Sequence, residues 1–166
     1  MRLGLLLLAV CAATAAAAPA LQPAACGVRN TLWIEHYSAQ LYVPAGASIK
    51  AVGDPEQPKM LRMRMLNTFL MPPEIPRKWR EALQPVLEDD DMKRLQAGYN
   101  GLQPGDTVVV TYQPQKGIAL SINDQTVIAK GGHSAIDALL AAWADDAPLE
   151  KKLAGAASRN RCRDSA

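Results

Sequence analysis

Residues 104–143, PGDTVVVTYQPQKGIALSINDQTVIAKGGHSAIDALLAAW, leave a chain like this few folds to choose from. Thr107–Gln113 alternates, with Val108, Val110 and Tyr112 on one face and Thr107, Val109 and Thr111 on the other. Turn residues follow at 114–117, after which Ile118, Leu120 and Ile122 resume the alternation. Asn123-Asp124 is a second tight turn and leads into Gln125–Lys130. Gly131-Gly132 ends the strand run, and Ser134-x-x-Asp137 reads as a capping box that opens a helix. Ile136, Leu139, Leu140 and Trp143 fall at i, i+3, i+4 and i+7, one apolar stripe. Such a stripe has to be covered, and the nearest apolar surface is the sheet beside it. An antiparallel meander with a helix across one face is therefore the expected centre of the fold.

The start of the chain points to a compartment. Met1-Arg2 is a short basic beginning, residues 3–10 form an apolar run too short to span a bilayer, and an alanine-rich tract follows. Ala18-Pro19-Ala20 offers small residues at a cleavage site. The expected organisation is a signal peptide over residues 1–20, one domain over 21–155 and a polar tail over 156–166, in a protein exported to a periplasm. Cys11 would leave with the signal, so Cys26 and Cys162 remain, near opposite ends of an exported domain. That placement suggests a disulfide between them. Closing so long a loop is worth up to about 5 kcal/mol on chain-entropy grounds.

The full chain has 166 residues and a net charge of +2, with 18 basic against 16 acidic side chains. No basic patch interleaved with aromatics appears, which argues against nucleic acid as a partner. No second apolar stretch is long enough for stable membrane insertion.

Between the signal and the meander, residues 26–43 read as strands, with Asn30-Thr31 as a possible bend. Residues 44–58 are broken by Gly46, Gly53, Pro55 and Pro58 and read as loop. Residues 60–66 alternate again, Leu61, Met63 and Met65 against Arg62 and Arg64. Trp79, Ala82, Leu83, Val86 and Leu87 follow helical spacing until Pro85 interrupts it. A second helix opens in the acidic run 88–91, turns Met92, Leu95 and Tyr99 inward and stops at Asn100-Gly101. That run suits the positive end of a helix dipole better than a metal. A short last helix is expected over 148–153, capped by Asp146.

The order of these elements resembles the bacterial chalcone isomerase-like proteins, the exported branch of the chalcone isomerase fold superfamily. The residues that carry the resemblance are Gly27-x-Arg29, Tyr37-Ser38-Ala39-x-Leu41-Tyr42, Gly105-Asp106 and Tyr112-x-Pro114. Gly117, Asn123, Gly131-Gly132, Trp143, Pro148 and Leu153-x-Gly155 continue the series. One departure is Trp143-Ala144-Asp145, where the family usually has glycine two residues after the tryptophan. The resemblance implies an α+β fold, an open-faced antiparallel β-sandwich with helices packed on one side of the sheet.

Two functions are known on that fold. Plant chalcone isomerase cyclises a chalcone without a cofactor, using an arginine at the phenolate and hydroxyl and amide side chains around a water. Plant fatty-acid-binding relatives keep the arginine, put a tyrosine near the place of the enzyme's threonine and hold a carboxylate. The resemblance places Arg29 at the arginine and Tyr37 at the threonine or tyrosine position, with Ser38 adjacent. Arginine presents a planar, permanently charged donor fork that suits a carboxylate or phenolate. It also suits an acidic neighbour such as Glu35, so a ligand-holding and a structural Arg29 stand side by side. Arg29, Tyr37 and Ser38 are the candidate ligand-binding residues; no catalytic residue, metal ligand or cofactor is assigned. Neither His36 nor His133 has zinc-type spacing or a neighbouring nucleophile, and both read as surface or structural. Met60, Met63, Met65 and Met71 are soft donors but more simply core or pocket lining, and Trp33, Trp79 and Trp143 read as core. The expected function is a non-enzymatic domain that binds a small amphipathic carboxylate such as a fatty acid. A cofactor-free intramolecular lyase or isomerase, and an interaction domain with no ligand, are the alternatives.

Overall fold

The strand pattern closes into a single antiparallel sheet. The computed structural model describes residues 19–31, 33–47, 53–130 and 132–144. Its strands are β1 (Leu21–Thr31), β2 (Ile34–Pro44), β3 (Lys59–Met65), β4 (Thr107–Gln113), β5 (Gly117–Ile122) and β6 (Gln125–Lys130). They lie side by side in chain order, every neighbouring pair antiparallel. Helices α1 (Arg77–Leu83) and α2 (Asp89–Asn100) connect β3 to β4, and α3 (Ser134–Ala144) follows β6. All three pack on one side of the open sheet, as the sequence and its resemblance led us to expect.

Alternation decides which side. Leu41 pairs with Leu61, Leu61 with Val110, and Val110 with Leu120, so one apolar row crosses four strands on the helix-facing side. Leu83, Ile136, Leu139 and Leu140 are buried with that row in one core. Each such side chain is worth about 1.5–3 kcal/mol when fully buried. Ser38 and Gln40 instead pair with Arg64 and Arg62, which places all four on the opposite face. Close approach of α2 to the sheet depends on Gly98, where a Cβ would lie 2.7 Å from Ile122 Cδ1. The β5–β6 turn places Asn123 and Asp124 at φ 48° and 66°, the left-handed pair that a two-residue hairpin requires.

Several expectations are corrected. The first strand begins at Leu21, not near Cys26, and runs through Thr31, so the bend lies two residues beyond Asn30. Pro23 lies within β1, where proline is tolerated because β1 is the sheet's edge. The bend moves because the β1–β2 register slips: Arg29 faces Tyr37 while Asn30 faces Glu35, leaving His36 as an extra residue on β2. Trp33 sits at the hairpin tip, 83% exposed, and is not core. Helix α3 begins at Ser134 itself, and the residue paired with Asp137 is His133, whose Nδ1 lies 2.5 Å from Asp137 Oδ2. The first turn of α2 carries Asp89, Asp90 and Asp91, of which Asp91 pairs with Arg94 one turn on.

The expected signal peptide, the 148–153 helix and Cys162 lie outside the described residues. Cys26 is buried in β1. Among the described residues no helix is long and apolar enough to cross a membrane.

Candidate functional site

Strand pairing brings two of the three expected residues together. Arg29 on β1 lies directly across from Tyr37 on β2, and Tyr37 across from Met65 on β3. Residues in register share a face, so all three stand on the helix side of the sheet. Between that face and the helices is a cavity of about 440 Å³, within the size range of small-molecule sites. Its walls are mostly apolar: Met63 and Met65 from β3, Trp79 from α1, Leu95 from α2, Val108 from β4 and Leu139 from α3. Leu70 and Met71, from the loop after β3, form part of its rim, and Leu70 is 59% exposed.

Polar groups gather at the β1–β2 end. Arg29, His36 and Tyr37 all line the cavity there. Arg77 and Lys78 contribute two more cations from α1, and no carboxylate stands among the described lining residues. Arg77 is paired with Glu81 at 3.3 Å on the exposed side of α1, so Arg29 and Lys78 are the cations of the lining with no described acidic neighbour among the lining residues. Ser38 does not join this set; it points to the other face, opposite Val28 and Arg64. Alternation alone puts neighbours on a strand on opposite sides, so Tyr37 and Ser38 cannot both line the site without a bulge between them.

His36 is the residue that the sequence reading missed. Regular alternation would send it away from Tyr37, but the bulge re-aims it, and it becomes a buried part of the cavity wall. Its carbonyl accepts from Leu66 N at 2.8 Å and Asn67 N at 3.2 Å, which holds the bulge in place. A one-residue slip has no composition or period of its own, so nothing in the chain announced it. Tyr99 also lines the cavity; its hydroxyl donates to Pro72 O at 3.1 Å and burial raises its pKa. Neighbouring Asn100 accepts from Gln96 Nε2 at 2.7 Å and is not part of the wall.

A second titratable cluster ties β3 to α3. Lys59 is fully buried, and its Nζ lies 2.7 Å from His133 Nε2 and 3.1 Å from Asp54 O. His133 in turn meets Asp137. Burial lowers the pKa of Lys59 against the pull of Asp137 and Asp54. Burial likewise raises that of Asp137, against His133 and Lys59. Tyr112 closes the group, donating to Pro55 O at 2.7 Å and meeting His133 edge-on at 4.9 Å between ring centroids. The amine is too enclosed to meet a substrate, so the cluster is a structural tie.

A protein-family model described as chalcone isomerase-like matches residues 10–156 of the chain. No curated protein shows significant sequence similarity to it. Among solved structures, the crystal structure of an Arabidopsis thaliana fatty-acid binding protein is similar, with a TM-score of 0.57 and 14% sequence identity. The match covers 83% of this chain and 89% of the plant protein.

Proposed function

We propose that this protein, which belongs to the chalcone isomerase-like family, binds a fatty acid, with the carboxylate at Arg29 and Tyr37 and the chain in the cavity behind them. The observation that carries this reading is the direct pairing of Arg29 with Tyr37 at the polar end of an otherwise apolar cavity that has no described carboxylate in its wall. A guanidinium supplies two parallel donors to a carboxylate and a phenol supplies a third. Apolar walls then take the alkyl chain out of water at about 0.8 kcal/mol per methylene. The likeness in fold to a plant protein described as fatty-acid binding supports the choice of a fatty acid as ligand. The reading extends to an exported domain, which the basic, apolar and small-residue order of residues 1–20 supports.

Titration calorimetry with dodecanoate and its methyl ester tests the reading. Arg29→Ala should weaken dodecanoate binding by about 1.5–3 kcal/mol, the scale of a hydrogen bond to a charged group. Arg29→Lys should recover part of this, since an ammonium keeps the charge and loses the fork. Tyr37→Phe should cost about 0.5–1.5 kcal/mol. The ester should bind the parent as weakly as the acid binds Arg29→Ala. Equal affinity of the parent for acid and ester would refute the carboxylate site.

A further inference from the structure

Apolar side chains left in water are unevenly spread over this molecule. Trp33, Leu66, Phe69 and Leu70 are the exposed large hydrophobic residues among those described, at 83%, 39%, 66% and 59%. All four stand in one place. Trp33, Leu66 and Phe69 line a groove open to solvent between the β1–β2 hairpin tip and the loop after β3. Leu70 comes next in the chain and belongs to the rim of the cavity. Hairpin and loop are held side by side, because Leu66 N and Asn67 N both donate to His36 O. The loop itself closes in a turn: Phe69 N donates to Asn67 Oδ1 at 2.7 Å and Met71 N to Thr68 O at 3.1 Å, which leaves Phe69 and Leu70 at its tip. Leu70 takes the third position of that turn at φ 64°, a left-handed backbone that glycine or asparagine ordinarily supplies. One residue thus departs from two local rules, with a bulky side chain on a left-handed backbone and a leucine in water. Departures of this kind gather where a chain has a function to serve.

We infer that this patch docks the protein on the surface of a phospholipid bilayer, with Trp33, Phe69 and Leu70 inserted at the level of the head groups and upper acyl chains. Fatty acids dissolve in bilayers. On the fatty-acid reading, on which this rests, Leu70 therefore belongs both to the docking patch and to the rim that the acid passes. Four side chains at these exposures offer a few hundred Å² of apolar surface, enough to mark a contact site but short of the ~800 Å² per partner of a stable protein interface. A bilayer needs only such a set of anchors on protruding tips. Charges beside the patch largely pair with one another, Arg77 with Glu81 and Arg80 with Glu74, so the apolar side chains carry the contact.

Vesicles of phosphatidylcholine brominated along the acyl chains test the docking with the full chain. The chain has three tryptophans, and the part due to Trp33 is the difference between the parent and Trp33→Phe, which keeps an apolar anchor and loses the reporter. The same difference separates this contact from any that the apolar run 3–10 makes with lipid. Trp33 emission should be quenched on adding vesicles, with less than about twofold change in the lipid required when salt is raised. Phe69→Ser should need about tenfold more lipid for the same quenching, the factor for leaving most of one large apolar side chain in water. Should Phe69→Ser not fold, the parent and Trp33→Phe decide alone. Absence of Trp33 quenching in the parent, or a folded Phe69→Ser quenched like the parent, overturns the docking. Sedimentation velocity then reassigns the patch: a dimer that Phe69→Ser dissolves gives it to a second copy, and a monomer gives it to a partner of another class. Calorimetry with dodecanoate, run without vesicles, keeps the two readings apart. Dodecanoate binding without quenching ends the docking and leaves the fatty-acid site standing. Quenching without dodecanoate binding ends the fatty-acid reading and leaves the bilayer contact standing.

Discussion

Chain length is the sharpest test of a cavity whose size is known. A methylene occupies about as much room as a water molecule, roughly 30 Å³. The cavity's volume of about 440 Å³ therefore holds about 15 groups of that size. Three of those places go to the carboxyl group, which leaves room for an acid of about 12 carbons. Each methylene moved from water into the apolar wall contributes about 0.8 kcal/mol, close to a fourfold gain in affinity. From octanoate to dodecanoate the gain should reach about 3 kcal/mol, or roughly 200-fold. Beyond that length the chain has to pass the rim near Leu70 and Met71 into water, and the affinity should level off. The break can also be moved. Val108 lines the cavity from β4, and Val108→Phe adds four side-chain carbons to that wall, so the plateau should begin about four carbons earlier. Calorimetry over the even acids from 6 to 18 carbons, with parent and variant, measures this. An affinity that is flat with length, or a break that Val108→Phe does not shift, would refute the assignment of the alkyl chain to this cavity.

Other consequences concern the frame that holds the site. Lys59→Met removes the bonds of a buried ammonium to Asp54 O and His133 Nε2 and should destabilise the fold by about 2–4 kcal/mol in urea unfolding. Because His133 is then left without that partner, adding His133→Leu should cost less than its single effect, with a coupling of about 1.5 kcal/mol or more; additivity within about 0.5 kcal/mol would refute the tie. Asp106 accepts from Asn123 Nδ2 and Gln103 N, which lowers its pKa below the ordinary carboxylate value. The stability that it contributes is thus present above about pH 4 and is lost as pH falls further, so Asp106→Asn should flatten the parent's loss of urea midpoint between pH 4 and pH 2. Protein recovered from an oxidising compartment should begin between residues 15 and 21 and carry a Cys26–Cys162 bond; Met1 retained, or two free thiols by intact mass under non-reducing denaturation, would refute these expectations.

Local rules account for most of the architecture. The alternation in β3, β4, β5 and β6 marks both the strands and the face that each buries, because a strand's side chains change sides at every residue. Asn123-Asp124 marks its own turn through the left-handed backbone that those residues tolerate. Pro85 marks the end of α1, and the acidic run 88–91 the start of α2. In the site, Arg29 and Tyr37 were legible by resemblance, through the motifs around them, and their facing positions agree with the register.

Periodicity and turn chemistry are thus enough for β3 to β6 and the three helices, and the resemblance is enough to single out Arg29 and Tyr37, which face each other across two strands. Tertiary structure decided what depends on register. Whether residue 36 looks into the cavity or away from it turns on one extra residue between two paired strands, and a slip of one residue exchanges the faces without altering any local preference. The same slip carries the hairpin tip past Asn30, with Trp33 out in solvent, while plain alternation after Tyr37 leaves Ser38 on the far face. Lys59 shows the other limit. Its alternation puts it on the core face, and burial of an ammonium there is offset by the Asp54 carbonyl and His133, from a loop and from just before a distant helix, and by the Tyr112 ring. Those partners are close in space and far apart in the chain, and packing alone brings them together.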